Sequence, residues 1–133
     1  MRRAEVVLEN GDCRVTVRAI CDTGNLLREP ISNLPCIMVD ERFLRGVIPD
    51  EVMRVIERGE LDALSSLSVP SMKRTRVIPA RGALGEELLI GYRPDGVKVD
   101  GGRGARSVSA YVVSGRLFKS ADGEGAIIPP ELL

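Results

Sequence analysis

Hydrophobic and polar residues alternate with a period of two near the start of the chain. Along residues 14–21, apolar positions alternate with mostly polar ones, as Val15, Val17, Ala19 and Cys21 against Arg14, Thr16, Arg18 and Ile20. This alternation predicts a strand with one buried face. A shorter apolar run at residues 5–8 predicts a preceding strand, and Asn10-Gly11 between them predicts a type I′ hairpin turn, in which both central residues have positive φ. The hairpin ends just before Asp22.

The pattern changes after residues 35–39, which predict a short buried strand. Asp40 is a candidate cap for a brief helix that ends before Gly46, and a second helix begins at Pro49-Asp50-Glu51 and stops at Gly59. Apolar residues three apart then predict another short helix before Pro70, at Leu61, Leu64 and Leu67. Residues 40–68 therefore predict a helical insertion in a β framework.

Strand patterns return in the second half of the chain, at residues 74–78, 87–92, 96–99 and 107–113. Between the first two lies a tip of small residues, with Gly82, Ala83, Leu84 and Gly85. Such a tip can move and close over an extended ligand. Glycines at a hairpin tip are also ordinary turn chemistry, so the tip alone does not decide between a flap and a simple turn.

Composition excludes several classes of function. A chain of 133 residues with 44% hydrophobic residues is expected to form one domain, residues 1–133. The formal net charge is zero, aromatic residues are 3% and Trp is absent, which argues against nucleic-acid binding. No apolar run approaches the roughly 20 residues of a membrane span, so the fragment itself is expected to be soluble.

The cysteines and the missing histidines narrow the chemistry further. Cys13, Cys21 and Cys36 are odd in number and lack metal-ligand spacing, which predicts free thiols in a reducing compartment and no metal site. The chain has no His, which removes Ser-His and Cys-His pairs and the commonest zinc ligand. A carboxylate pair is the hydrolytic machinery that remains easy to build, and it needs no cofactor.

Asp22-Thr23-Gly24, at the end of the predicted strand, is the core motif of an aspartic peptidase. Two such carboxylates cannot both ionise easily when they lie a few ångströms apart, so one can activate a water while the other donates a proton. The chain carries the motif once, so a peptidase built from it must dimerise. The same residues are also favoured in an ordinary turn.

The surrounding residues add a family resemblance. The run CDTGNLL at residues 21–27, with matches at residues 34–39, 77–79 and 90–95, resembles the peptidase domain of the sporulation sigma-E factor-processing peptidase. The resemblance implies a mainly β, retropepsin-like acid-protease half-barrel with the helical insertion, acting as a homodimer. It also implies a polytopic membrane module N-terminal to this domain, with the domain on the cytoplasmic side of the cell membrane.

The resemblance further implies a substrate, a regulator and residue roles. The substrate is the sigma-E precursor, whose pro-sequence is removed, and a signalling protein from the forespore switches the peptidase on. Asp22 is then catalytic, and the Thr23 hydroxyl bonds to the equivalent loop of the second chain. The N–H of Gly24 approaches the Asp22 carboxylate. Ile127-Ile128 packs under the active site, although Pro129 stands where the family pattern has Gly.

Two other classes of function remain open from the residues. A retropepsin-like module that binds extended peptide or only dimerises would use the same cleft without turnover. A cysteine enzyme using Cys21 or Cys36 would lack a histidine to activate the thiol. Arg28, Arg81 and Arg93 either meet an acidic substrate or simply solvate the surface, which is the commoner role of exposed arginines.

Overall fold

The fold was analysed in a computed structural model that describes residues 2–25, 27–82, 85–115 and 123–133. Within these residues, nine strands form one sheet, which confirms a mainly β fold. The strands are β1 Arg3–Asn10, β2 Cys13–Cys21, β3 Cys36–Val39, β4 Thr75–Gly82, β5 Gly85–Tyr92, β6 Gly96–Asp100, β7 Ala105–Val108, β8 Tyr111–Ser114 and β9 Ala126–Ile128. Their order across the sheet is β4-β5-β8-β3-β9-β2-β1-β6-β7.

The first two strands form the expected antiparallel hairpin, but its turn differs from the prediction. Asn10 pairs with Cys13, so the two loop residues are Gly11 and Asp12. Gly11 has φ +57°, whereas Asp12 is not among the described residues with positive φ. A glycine with positive φ at the first loop position fits a type II′ turn, so the predicted type I′ turn is wrong.

In the sheet, the short strand β9 lies between β2 and β3, which are consecutive strands in the sequence. It runs parallel to β2 and antiparallel to β3, pairing Cys21 with Ile128 and Val39 with Ala126. The loop that joins β2 to β3 therefore passes over the end of β9. This loop carries Asp22.

Helices fill the connection between β3 and β4. They are α1 Glu41–Leu44, α2 Asp50–Arg58, a 3-10 helix at Leu61–Ser66 and α3 Val69–Arg74. The helical segment thus extends to Arg74, and the predicted end near residue 68 is wrong. Pro70 falls in the first turn of α3, where a missing N–H is tolerated, so it does not terminate the helical segment.

The predicted strand at residues 107–113 is two strands in the structure. β7 pairs with β6 at one edge of the sheet, while β8 pairs with β3 and β5 near the opposite edge. Tyr111, Val112 and Val113 are all buried, as expected of an interior strand covered on both faces. No Gly or Pro marks the break, and the alternation of residues 107–109 leads directly into the apolar run at residues 110–113, which explains why the sequence alone suggests one strand.

The main core lies between the sheet and the helical segment. Buried side chains of β1, β2 and β3 belong to the same cluster as Val52, Val55 and Ile56 of α2. A second, smaller cluster packs around Cys36, Ile78, Tyr111 and Val113. α2 is well defined at both ends, because Asp50 and Glu51 lie in its first turn and Gly59 adopts a left-handed conformation at its C-cap.

A buried carboxylate organises the turn between Asp22 and β3. Glu29 is 1% exposed, and its two oxygens accept hydrogen bonds from the backbone N–H groups of Ile31 at 2.9 Å and Ser32 at 2.7 Å. Burial alone raises the pKa of Glu29, but these hydrogen bonds and the charge of Arg76 outweigh it and leave the pKa lowered. The ionised form of Glu29 is therefore the one that holds the turn.

Gly125, immediately before β9, lies where the strands pack closely. A Cβ atom at this position would lie 2.2 Å from the Phe43 ring and 2.8 Å from Val17 Cγ1, and Val17 is buried. We expect Gly125→Ala to lower the free energy of unfolding by about 1–3 kcal/mol, as for other overpacked sites. Chemical denaturation checks this, with Gly96→Ala as the control because its Cβ would meet Glu9 only at 3.8 Å. Equal stability of the two variants would contradict the close packing.

Glu29→Gln is expected to cost about 2–3 kcal/mol at neutral pH, because hydrogen bonds to a charged group are lost in a buried place. Since the folded-state pKa of Glu29 is lowered, its stabilisation is present above the unfolded-state pKa near 4.5. That stabilisation is lost as the pH falls through the lower folded-state value. The free energy of unfolding, measured from pH 7 to pH 3, should therefore change less with pH for Glu29→Gln than for the parent chain.

Glu57→Gln is a matched control for this change, since the Glu57 carboxylate pairs with Arg45 at the surface. Parallel pH profiles for the parent chain and Glu29→Gln would show that Glu29 does not hold the turn as a carboxylate.

Candidate active site

Asp22 is placed by the pairing of β2 with β9. Its backbone N–H donates to the carbonyl oxygen of Ile128 at 3.0 Å, one step beyond the pair Cys21 and Ile128. The Asp22 side chain itself is exposed, as are Thr23 and Gly24. The strand end is thus fixed while the carboxylate is presented to solvent.

The turn after Asp22 holds one oxygen of the carboxylate. The backbone N–H of Gly24 donates to Asp22 Oδ1 at 2.8 Å, and the N–H of Asn25 donates to the Asp22 carbonyl oxygen at 3.1 Å. A Cβ atom on Gly24 would lie 3.3 Å from the same Oδ1, tighter than ordinary contacts. This hydrogen bond fixes the direction of the Asp22 carboxylate.

Asn25 anchors the turn to the sheet. Its side chain is buried, its Nδ2 donates to the Cys36 carbonyl oxygen at 3.2 Å, and its Oδ1 accepts from the Leu27 N–H at 3.3 Å. Sequence reasoning did not single out this residue. Its position directly after Asp22-Thr23-Gly24 is a signal, because Asn in turns commonly bonds to backbone two residues away.

Arg28 connects the same loop to the C-terminal 3-10 helix, Pro130–Leu132. Its Nη1 donates to the Asn33 carbonyl oxygen at 2.6 Å, and its Nη2 pairs with the Glu131 carboxylate. The hydrogen bond to Glu131 raises the pKa of Arg28, against the opposing effect of desolvation. The structure therefore gives Arg28 a bridging position that the sequence did not indicate.

The exposed side of Asp22 opens into a cleft of about 1290 Å³. One wall is the hairpin of β4 and β5, with residues from Pro79 to Arg81 and from Glu87 to Ile90. Other walls come from the Asp22 loop, from β3 and β9, and from the end of α2. The described lining residues outside the hairpin, which also include the start of the 3-10 helix and the end of β8, are Asp22, Gly24, Asn25, Leu27, Arg28, Met38, Ile56, Gly59, Leu61, Ser114, Gly115 and Ile127.

The residues singled out from sequence fall in three places. Asp22 and Gly24 line the cleft, and Thr23 lies between them in the exposed turn. Gly82 and Gly85 pair at the end of the β4–β5 hairpin, while Ala83 and Leu84 lie outside the described residues. In β9, Ile127 lines the cleft and Ile128 is fully buried next to the Asp22 backbone, followed by Pro129. Arg28 and Arg81 line the cleft as well.

Three cysteines lie among the described residues. Cys13, Cys21 and Cys36 are free thiols, and Cys36 is fully buried. Burial, followed by the nearby charge of Glu29, raises the pKa of Cys36 to about 12. Cys36 is therefore protonated at neutral pH and is not an activated thiolate.

The described residues contain neither a metal-ligand cluster nor a membrane-spanning helix. Among residues 2–25, 27–82, 85–115 and 123–133, no three or more Cys, Asp or Glu side chains are grouped as metal ligands would be. In the same part of the chain, no helix is both long and apolar enough to cross a membrane.

The chain was compared with known proteins. No curated protein and no solved structure matches it. A family model does match: Peptidase_U4, described as sporulation factor SpoIIGA, over residues 2–122. Since this match spans most of the sequence, including the Asp22 turn and the β4–β5 hairpin, the chain belongs to the SpoIIGA family of sporulation peptidases.

Proposed function

We propose that this chain is the peptidase domain of a membrane-associated aspartic endopeptidase that works as a homodimer. Its substrate in this proposal is a protein, the sigma-E precursor, from which it removes the pro-sequence. The observation that carries the proposal is the Asp22 carboxylate, held at 2.8 Å by the Gly24 N–H and open to a cleft of about 1290 Å³. Membership of a peptidase family supports hydrolysis of peptide bonds.

The chemistry requires a second carboxylate. An ionised Asp22 can take a proton from water, but the carbonyl oxygen of the peptide must also receive one. We propose that the second acid is Asp22 of another copy of the chain, related by a two-fold axis. Two carboxylates in contact share one proton and titrate as a pair, so one member is the base and the other is the acid.

The fold is compatible with such a pairing. Asp22, Thr23 and Gly24 form an exposed turn, so a second copy can approach them without unfolding the sheet. In the proposed retropepsin-like dimer, the Thr23 hydroxyl bonds to the equivalent loop of the other copy and fixes the two carboxylates. The β4–β5 hairpin then acts as the flap over an extended substrate, and Ile127 and Ile128 support the turn from below.

The proposal extends to regulation and location. A membrane module that precedes this domain in the full-length protein would hold it at the cytoplasmic face of the cell membrane. A signalling protein would then control cleavage through that module or through dimerisation.

Asp22→Asn is expected to abolish cleavage of the sigma-E precursor, with a loss of at least about 1000-fold, because the amide cannot exchange the proton. Electrophoresis and mass spectrometry of the precursor measure the product, and thermal unfolding verifies the fold. Asp12→Asn is the matched control, since Asp12 lies in the turn at the far end of the hairpin. Undiminished cleavage by Asp22→Asn, or equal loss in Asp12→Asn, would refute the catalytic role.

Mixing the parent chain with Asp22→Asn tests the homodimer. If the active unit needs two Asp22 residues, an equal mixture of randomly paired chains retains about half of the activity expected from its parent-chain content. The measurement is the initial cleavage rate at a fixed parent concentration as the variant is added, with sedimentation to follow association. A rate that does not change while mixed dimers form would show that one Asp22 is sufficient.

A further inference from the structure

Leu88 is a large hydrophobic residue that is exposed in the structure. Four large hydrophobic side chains are exposed among the described residues, and they are Ile31, Val69, Met72 and Leu88. Of these, Leu88 lies in the lining of the cleft that contains Asp22. Its side chain is 53% exposed, so about half of its apolar surface is available to a bound molecule.

The register of the β4–β5 hairpin shows which way Leu88 faces. Leu88 pairs with Pro79, and Ile90, two residues further along β5, is on the same face because strand side chains alternate. Ile90 belongs to the main core cluster together with Ile56 of α2. Leu88 therefore faces the helical side of the sheet, while Leu89 packs with the smaller cluster on the other side.

The end of α2 forms the wall on that side. Ile56 lies in the last turn of α2, Gly59 ends the helix with φ +66°, and Leu61 begins the following 3-10 helix. All three line the same cleft as Asp22. A Cβ atom on Gly59 would meet nothing within 4 Å, so this corner of the cleft is open.

We propose that Leu88, Ile56 and Leu61 form an apolar pocket that selects a large aliphatic or aromatic side chain of the protein substrate. The three residues line the same cleft as Asp22, so a substrate bound in that cleft can place a side chain against them. Two of them, Ile56 and Leu61, belong to the helical segment between β3 and β4. Leu88, Ile56 and Leu61 are thus specificity-determining residues, and the assignment rests on the proposed peptidase function.

The test compares substrates that differ in one side chain. A randomised peptide library first locates sequences that the parent chain cleaves, read by mass spectrometry. Ten-residue peptides based on the best sequence then carry Ala, Leu or Phe at each position around the cleaved bond. At the position that enters the pocket, kcat/KM for Phe or Leu should exceed that for Ala by about tenfold or more.

Two variants alter the pocket in different ways. Leu88→Ser removes an exposed apolar side chain and should reduce the preference for Phe over Ala at that one position to about threefold or less. Asn tolerates the left-handed conformation that Gly59 adopts, and its side chain adds bulk to the open corner. Gly59→Asn should therefore lower kcat/KM for the Phe peptides in particular. Ile31→Ser is the control, because it removes an equally large exposed side chain outside the cleft.

The outcomes separate the pocket from the catalytic proposal. The same peptides are titrated into the Asp22→Asn chain, where binding is measured without turnover. If the parent chain cleaves nothing, the peptidase proposal fails, and the peptides are then based on the library sequence that binds the Asp22→Asn chain most tightly. Tighter binding of Phe than of Ala peptides to that chain, lost when Leu88→Ser is added to it, still supports the pocket. Equal preference in Leu88→Ser and Ile31→Ser overturns it. Dissociation of a dimer by Leu88→Ser also overturns it, because Leu88 would then be covered by a second copy.

Discussion

The hydrogen bond from the Asp22 N–H to the Ile128 carbonyl oxygen is the contact on which the site depends. It joins the end of a long hairpin strand to β9, a strand of only three residues between β2 and β3. So short a strand has few ladder bonds, and its position is set by close packing at its entry. Gly125 has no side chain there, so β9 can lie close to Val17 and Phe43. This position of β9 places the Ile128 carbonyl oxygen where it accepts from the Asp22 N–H.

Polar contacts, rather than apolar burial, fix the rest of the Asp22 loop. An exposed turn buries little hydrophobic surface, so its stability must come from hydrogen bonds that are satisfied in one geometry. Asn25 bonds to the backbone of β3, Arg28 joins the loop to Glu131, and the Glu29 carboxylate holds the N–H groups that follow it. These side chains lie within seven residues of Asp22 and form a rigid frame around a carboxylate that remains open to the cleft.

The sequence predicted the elements better than their arrangement. Alternation identified β2, a short apolar run identified β1, and the end of α2 at Gly59 was predicted correctly because it depends on local conformation. Leu61, Leu64 and Leu67 are spaced by three, which fits the three residues per turn of the observed 3-10 helix. The order of the strands in the sheet could not be predicted from the sequence, since it depends on contacts between distant segments. The contribution of Glu29 was missed for a different reason, because its nearby partners, the N–H groups of Ile31 and Ser32, are backbone atoms that carry no sequence signal.

The proposed carboxylate pair would give a chain without histidine both an acid and a base. In the proposed mechanism the Asp22 carboxylate that contacts the Gly24 N–H acts as the base. The acid must therefore come from a carboxylate whose charge is suppressed, and a like charge a few ångströms away is the simplest cause. In the proposed dimer both carboxylates belong to the same turn, specified once in the sequence, and their difference arises only from contact. Catalysis would then be switched by association, since the acid does not exist in the separated chain.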